Sequence, residues 1–127
     1  MLDRLDIFVD VPRVDYDKLT DDRLGESSAE VRARVEAARQ IQRRRFAGTR
    51  FSCNAEMTPV EVKEFCQVDP GAQGLLRLAM KQLSLSARAF HRLLKLARTI
   101  ADLEGAATIG ASHLAEAIHY RRRQYSE

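Results

Sequence analysis

The sequence has little cysteine and no long apolar run. These two shortages argue against a cysteine metal site and against a membrane-spanning segment. Its two cysteines, Cys53 and Cys66, have neither metal-ligand nor redox spacing, and its three histidines are scattered, so we predict no metal site. No apolar run approaches the roughly 20 residues of a membrane span. The N-terminus also lacks the basic-then-apolar pattern of a signal peptide. We therefore expect a cytoplasmic protein with no membrane partner.

The sequence also lacks the motifs of a self-sufficient nucleotide hydrolase. It contains no GxxxxGK(S/T) phosphate loop, no nucleophile with a matching base, and no acidic pair placed to hold Mg²⁺ beside a phosphate strand. We expect the chain alone to hydrolyse no ATP and to hold no nucleotide tightly.

The sequence is long enough for one domain, and its charge is unevenly distributed along the chain. Its 127 residues are 45% hydrophobic and 31% charged, which is typical of a helical domain with a modest core. The formal net charge is only +3. Residues 1–25 have a net charge of −3, whereas residues 26–50 contain seven arginines and have a net charge of +4. The charge therefore indicates a local basic surface.

An alternating segment near the N-terminus predicts one strand. Its apolar members are Leu5, Ile7, Val9 and Val11, separated by Asp6, Phe8 and Asp10. This period of two is typical of a half-buried strand, and Pro12 ends it. A lone strand cannot satisfy its own backbone groups, so it needs a sheet from elsewhere. We expect a piece of a longer protein, in which residues 1–25 supply a core strand and a linker, with a loop over residues 12–25.

Residues 26–127 predict an all-α domain of about four to five helices. The strongest signal is the stretch from Ser84 to Gly105, where apolar residues recur at a spacing of three and four. They are Phe90, Leu93, Leu94, Ala97, Ile100 and Ala101. Ser84 or Ser86 can cap the start of this helix, and Gly105 can end it. We expect it to be the central helix.

The other helices are predicted from their start signals. Ser27 with Glu30, and Thr58 with Glu61, form capping boxes, and Asp69-Pro70 repeats the pattern of cap followed by proline. A last helix is expected after the break at residues 108–110.

Two helix faces are strongly cationic. Arg88, Arg92 and Lys95 fall within about 60° of one another on the central helix. The first long helix carries a cluster that could contact a nucleic-acid backbone without reading sequence, namely Arg39, Arg43, Arg44 and Arg45. The alternative for both faces is a solvated surface, matched in the first long helix to the helix dipole.

Several segments resemble the C-terminal part of Mg-chelatase-like AAA+ ATPases of the ComM/YifB competence-protein type. They are SAR at residues 86–88, RLL at 92–94, ARTIADL at 97–103, HLAEAIHYR at 113–121, NAEM at 54–57, and LDRLDI at 2–7. The resemblance implies a helical AAA+ lid, preceded by the last strand of the AAA+ core.

The resemblance also implies roles for individual residues. Arg88 matches the sensor-2 arginine that reaches the nucleotide phosphates, with Arg92 beside it, and Arg4 matches the arginine finger. Both Arg88 and Arg4 would then be catalytic. An alternative for Arg4 is an ordinary ion pair with Asp3 or Asp6.

The implied parent is a homo-hexameric motor that uses ATP and Mg²⁺ to drive branch migration of DNA in natural transformation. It would work with the rest of its AAA+ core. Two alternatives are a chelatase subunit that inserts Mg²⁺ into a porphyrin, and a small independent helical DNA-binding protein that uses the arginines from Arg32 to Arg45.

Overall fold

A computed structural model describes residues 5–13, 15–20 and 25–122, and within them the fold is all-α. The helices are α1 Tyr16–Leu19, α2 Ser28–Arg45, α3 Pro59–Phe65, α4 Gln73–Gln82, α5 Ala87–Glu104 and α6 Ala111–Arg122. Short 3₁₀ turns precede α3 and α4, at Asn54–Glu56 and Pro70–Ala72. The predicted all-α fold is confirmed.

The caps of the helices explain most of these boundaries. The Ser86 hydroxyl accepts a hydrogen bond from the Ala89 backbone N–H at the start of α5, and Gly105 ends α5 in the left-handed conformation at φ 80°. The Ser27 hydroxyl likewise accepts the N–H of Glu30, and α3 begins with the predicted capping box. Asp69 is different, because its side chain caps nothing and its carbonyl oxygen accepts the Ala72 N–H in a 3₁₀ turn.

The central position of α5 is confirmed by its burial. Leu93, Leu94, Ala97 and Ala101 are buried along one stripe, with Phe90 and Ile100 half-buried beside them. This stripe packs against side chains from the surrounding elements, among them Phe46, Met57, Val62, Leu114 and Ala117. A short parallel bridge between Val68 and Ile109 ties the loop before α4 to the loop before α6.

The strand predicted near the N-terminus is not formed. Residues 5–13 form neither a helix nor a strand, and Leu5, Ile7, Val9 and Val11 are exposed. The physical reason is that the described residues contain no neighbouring strand to share its ladder. The segment lies against α6, where the Phe8 N–H donates to the Tyr120 carbonyl oxygen at 2.9 Å.

The loop predicted over residues 12–25 contains one helical turn, α1, which sequence reasoning missed. The side chains that the structure describes in this loop are exposed. No helix among the described residues is both long and apolar enough to cross a membrane.

Candidate functional site

A cationic groove of about 670 Å³ lies along the first three turns of α5. Arg88, His91, Arg92 and Lys95 line one side of it. The other lining residues belong to the N-terminal segment, to the loop before α3 and to the start of α3, with Asp6, Ile7, Ala55, Met57 and Pro59 among them. The structure therefore brings together the three cations that helical spacing placed on one face.

The three cations of the groove differ in how they are held. Arg88 is exposed and makes no hydrogen bond or ion pair with any described residue. Arg92 is largely buried, and its Nε donates to Oδ1 of Asp6 at 2.8 Å. The Nζ of Lys95 donates to the carbonyl oxygen of Ala55 at 3.3 Å. Of the three, Arg88 is the side chain that can reach a ligand without first breaking a contact.

The predicted arginine finger cannot be placed. Arg4 lies outside the residues that the structure describes, so its role stays a prediction.

A second group of charges is buried behind the groove and is internal to the fold. The Asp102 carboxylate is 2% exposed and accepts two hydrogen bonds from Arg45, at 2.9 and 2.6 Å. It also accepts one from Nε of Arg98 at 3.1 Å and one from the Asn54 amide at 2.9 Å. Arg98 in turn donates to the carbonyl oxygens of Ala106 and Ala107. This network joins α2, the loop before α3, and the connection between α5 and α6.

Burial leaves Arg98 charged but poorly solvated. Burial is the main cause that lowers the pKa of Arg98, and the charge of Asp102 opposes it. An uncompensated guanidinium at this position would be costly, so Asp102 is what makes its burial tolerable. Sequence reasoning missed the pair, although Arg98 and Asp102 are four residues apart on α5 and next to its apolar stripe.

The network corrects one predicted site residue. The charge pattern assigns Arg45 to a nucleic-acid surface with Arg39, Arg43 and Arg44, but its side chain is only 12% exposed and is engaged by Asp102 and Asn54. It occupies the last turn of α2, on the side of that helix that packs on α5. Arg45 is therefore a structural residue, because releasing it to a phosphate would strip Asp102 of its main partner.

The network also gives the NAEM segment a structural role. Its Asn54 bridges Asp102, Arg45 and the Thr99 hydroxyl, and its backbone N–H donates to the side chain of Gln42. Met57 of the same segment is buried in the core. The segment therefore locks the loop before α3 against α5.

The remaining arginines of α2 form an exposed surface. Arg39 and Arg44 make no hydrogen bond or ion pair with the described residues, and Arg43 bonds to Gln40 and Glu36. The first half of α2, residues 28–37, is exposed throughout, so this helix projects beyond the core. We call Arg39, Arg43 and Arg44 the α2 basic surface.

The His, Cys, Asp and Glu side chains of the described part of the chain are dispersed, and one of the two cysteines is buried. No group of three or more His, Cys, Asp or Glu side chains there is placed to hold a metal ion. Burial raises the pKa of the Cys66 thiol to about 11, which keeps it protonated at neutral pH. Cys66 is a small core residue, packed with the apolar side chains around α5.

Comparison with known proteins identifies relatives over nearly the whole chain. Residues 25–121 match the family described as magnesium chelatase, subunit ChlI C-terminal. The competence protein ComM of Haemophilus influenzae is 43% identical over 122 residues, which is 94% of this chain and 23% of the relative.

Two further relatives have the same extent. YifB of Escherichia coli is 39% identical over 121 residues, covering 94% of this chain and 23% of YifB. A protein of Mycobacterium tuberculosis, Rv2897c, is 31% identical over 122 residues, covering 96% of this chain and 24% of its own length. The chain thus spans about a quarter of the length of these relatives. From residue 25 to residue 121 it carries the helical domain that defines the match, and the chain belongs to the Mg-chelatase C-terminal domain family, as the C-terminal domain of a ComM/YifB-type protein.

Proposed function

We propose that this domain is the lid of an AAA+ ATPase and that Arg88 binds the phosphates of the nucleotide held by its own subunit. The observation that carries the proposal is the cationic groove on α5. The groove has three cations on adjacent turns of α5. One of them, Arg88, has no partner among the described residues. The cap at Ser86 places the N-terminus of α5 close to Arg88, so the helix dipole adds to the positive potential there.

The chemistry of a guanidinium suits this role. It stays charged at any physiological pH and forks onto two oxygens of a phosphate group. On an exposed side chain it can follow the γ-phosphoryl group as charge develops during hydrolysis. The phosphate loop and the ligands of Mg²⁺ must come from the AAA+ core, because this sequence has neither.

The test is ATP hydrolysis by the full-length protein with Arg88→Ala. A charged hydrogen bond is worth about 1.5 to 3 kcal/mol, so we expect hydrolysis to fall by about 10- to 100-fold. Arg77→Ala is the matched control, because Arg77 is an exposed arginine on α4 away from this groove. Hydrolysis that is equal in the two variants would refute the role of Arg88.

We propose in addition that Arg4 acts on the nucleotide of a neighbouring subunit in a hexameric ring. An arginine supplied across an interface is worth about 10³ to 10⁵ in rate. Rings assembled from two kinds of mutant subunit distinguish the role of Arg4 from that of Arg88. An Arg4→Ala subunit still has its own phosphate loop, so a phosphate-loop mutant that keeps Arg4 should restore some hydrolysis at shared interfaces. An Arg88→Ala subunit should not be rescued by the same partner. The reverse pattern would exchange the two assignments.

DNA is the proposed substrate of the motor. Supporting this choice, the Haemophilus influenzae relative is named a competence protein, which favours a DNA motor over a metal-inserting subunit. The α2 basic surface is the candidate contact, because its arginines are exposed on a projecting helix. Replacing Arg39, Arg43 and Arg44 by glutamine should weaken duplex binding by the full-length protein and flatten its salt dependence. Unchanged affinity and salt slope would remove this surface from the proposal.

A further inference from the structure

Asp6 contributes a negative charge to the lining of the cationic groove. Among the described residues that line the groove it is the one acidic side chain. Its Oδ1 accepts the hydrogen bond from Nε of Arg92 at 2.8 Å and lies 3.5 Å from Nη1 of Arg121. The Asp6 side chain is itself 51% exposed. One half-exposed carboxylate thus faces two largely buried guanidiniums.

Arg121 makes this arrangement unusual. Its side chain is 1% exposed, and all three of its nitrogens lack a hydrogen-bond acceptor among the described residues. A buried cation without hydrogen bonds is strongly disfavoured unless a counter-charge is close. Asp6 is the one described carboxylate within ion-pair distance. The α6 guanidinium therefore depends on an anion that enters from the groove side.

We propose that Asp6 is an exchangeable anion, which holds Arg92 and Arg121 until a phosphoryl group in the groove replaces it. The inference rests on the proposed phosphate-binding role of this groove. A replacement that faces both guanidiniums should offer at least two oxygens and more than one negative charge, because Asp6 contacts Arg92 and Arg121 together. A phosphate group meets both requirements, whereas a simple halide ion meets neither.

The exchange would act on the N-terminal segment as well as on the groove. Two contacts that attach residues 5–13 to α5 and α6 are the ion pairs of Asp6 and the hydrogen bond from the Phe8 N–H to the Tyr120 carbonyl oxygen. Loss of the Asp6 contact removes one of the attachments of that segment to α5 and α6. Phosphate binding therefore weakens the attachment of residues 5–13 to the helical domain.

The test is titration of this chain with inorganic tripolyphosphate at low ionic strength, followed by amide and side-chain NMR. Asp6→Asn removes the competing charge and should raise the affinity by about threefold to tenfold, as expected for one unit charge a few ångströms away. Asp69→Asn is the control, because Asp69 is exposed and its side chain caps no helix. It should leave the affinity unchanged. In the unmodified chain, binding should also speed the exchange of the Phe8 amide proton.

The outcomes separate this inference from the proposed function. If Arg88→Ala weakens tripolyphosphate binding but Asp6→Asn does not strengthen it, the exchange is refuted and the phosphate site stands. The exchange is also refuted if the NMR signals of Arg88 and Lys95 shift on titration while the Phe8 amide proton exchanges no faster. If Arg88→Ala binds as tightly as the unmodified chain, the phosphate site itself fails. Asp6→Asn should lower the urea midpoint, because Arg121 loses its counter-charge, and circular dichroism should show native helicity at the temperature of the titration.

Discussion

Replacing Asp102 by alanine should destabilise this fold far more than removing an exposed charge does. The change deletes the acceptor of two hydrogen bonds from Arg45, one from Arg98 and one from Asn54. Breaking a buried pair by removing one partner typically costs about 3 to 5 kcal/mol. Arg45 is 12% exposed and keeps Asn54, and Arg98 keeps two carbonyl oxygens, so we expect the lower end, about 3 kcal/mol.

Urea denaturation followed by circular dichroism measures this loss. A domain of this size has about 5 to 15 kcal/mol of stability. With a urea dependence of about 1 to 3 kcal/mol per molar, a loss of about 3 kcal/mol lowers the midpoint by roughly 1 to 3 M. Asp102→Asn keeps the shape but not the charge, so its loss should be smaller but still above about 1 kcal/mol.

The matched control for Asp102 is Asp69→Asn, at an exposed position where the side chain caps no helix. Its midpoint should stay within experimental error of the unmodified chain. If both Asp102 variants unfold within about 0.5 kcal/mol of this control, the network does not hold α2 and its loop on α5.

Three local features give further predictions. Because burial raises the pKa of Cys66 to about 11, a thiol reagent at neutral pH should label Cys53 first, and Cys53→Ser should leave no fast-reacting thiol by mass spectrometry. Hydrogen bonds from Thr58, the N-cap residue of α3, lower the pKa of Glu61 from 4.5. The stabilising contribution of the Glu61 carboxylate is therefore complete above pH 4.5 and is lost as the pH falls through its pKa in the folded state. The difference in stability between the unmodified chain and Glu61→Gln should shrink in acid, and a difference that is constant with pH would contradict this. Gly105→Ala should cost about 1 kcal/mol in urea denaturation because Gly105 has φ 80°, whereas Gly71→Ala, without a positive φ, should be near neutral.

The helices and the central stripe followed from the sequence because their causes are local. A capping hydroxyl acts on an N–H three residues away, and an apolar period of three to four is a property of the helix itself. The same reasoning put Arg88, Arg92 and Lys95 on one face, and the structure places them along one groove. The family resemblance, carried by short motifs, is confirmed by the match over residues 25–121.

Tertiary structure decided which charges are internal. Arg43, Arg44 and Arg45 are consecutive and chemically identical, and docking of α2 on α5 buries Arg45 against Asp102, 57 residues away. Asp6 and Arg92 are 86 residues apart and meet only once the N-terminal segment lies along the groove. The same long-range dependence explains the absent strand, since the alternation of residues 5–11 shows a preference for pairing but pairing needs a neighbour. Periodicity is a property of a single segment, whereas the partner of a charged side chain or of a strand depends on how the segments pack against one another.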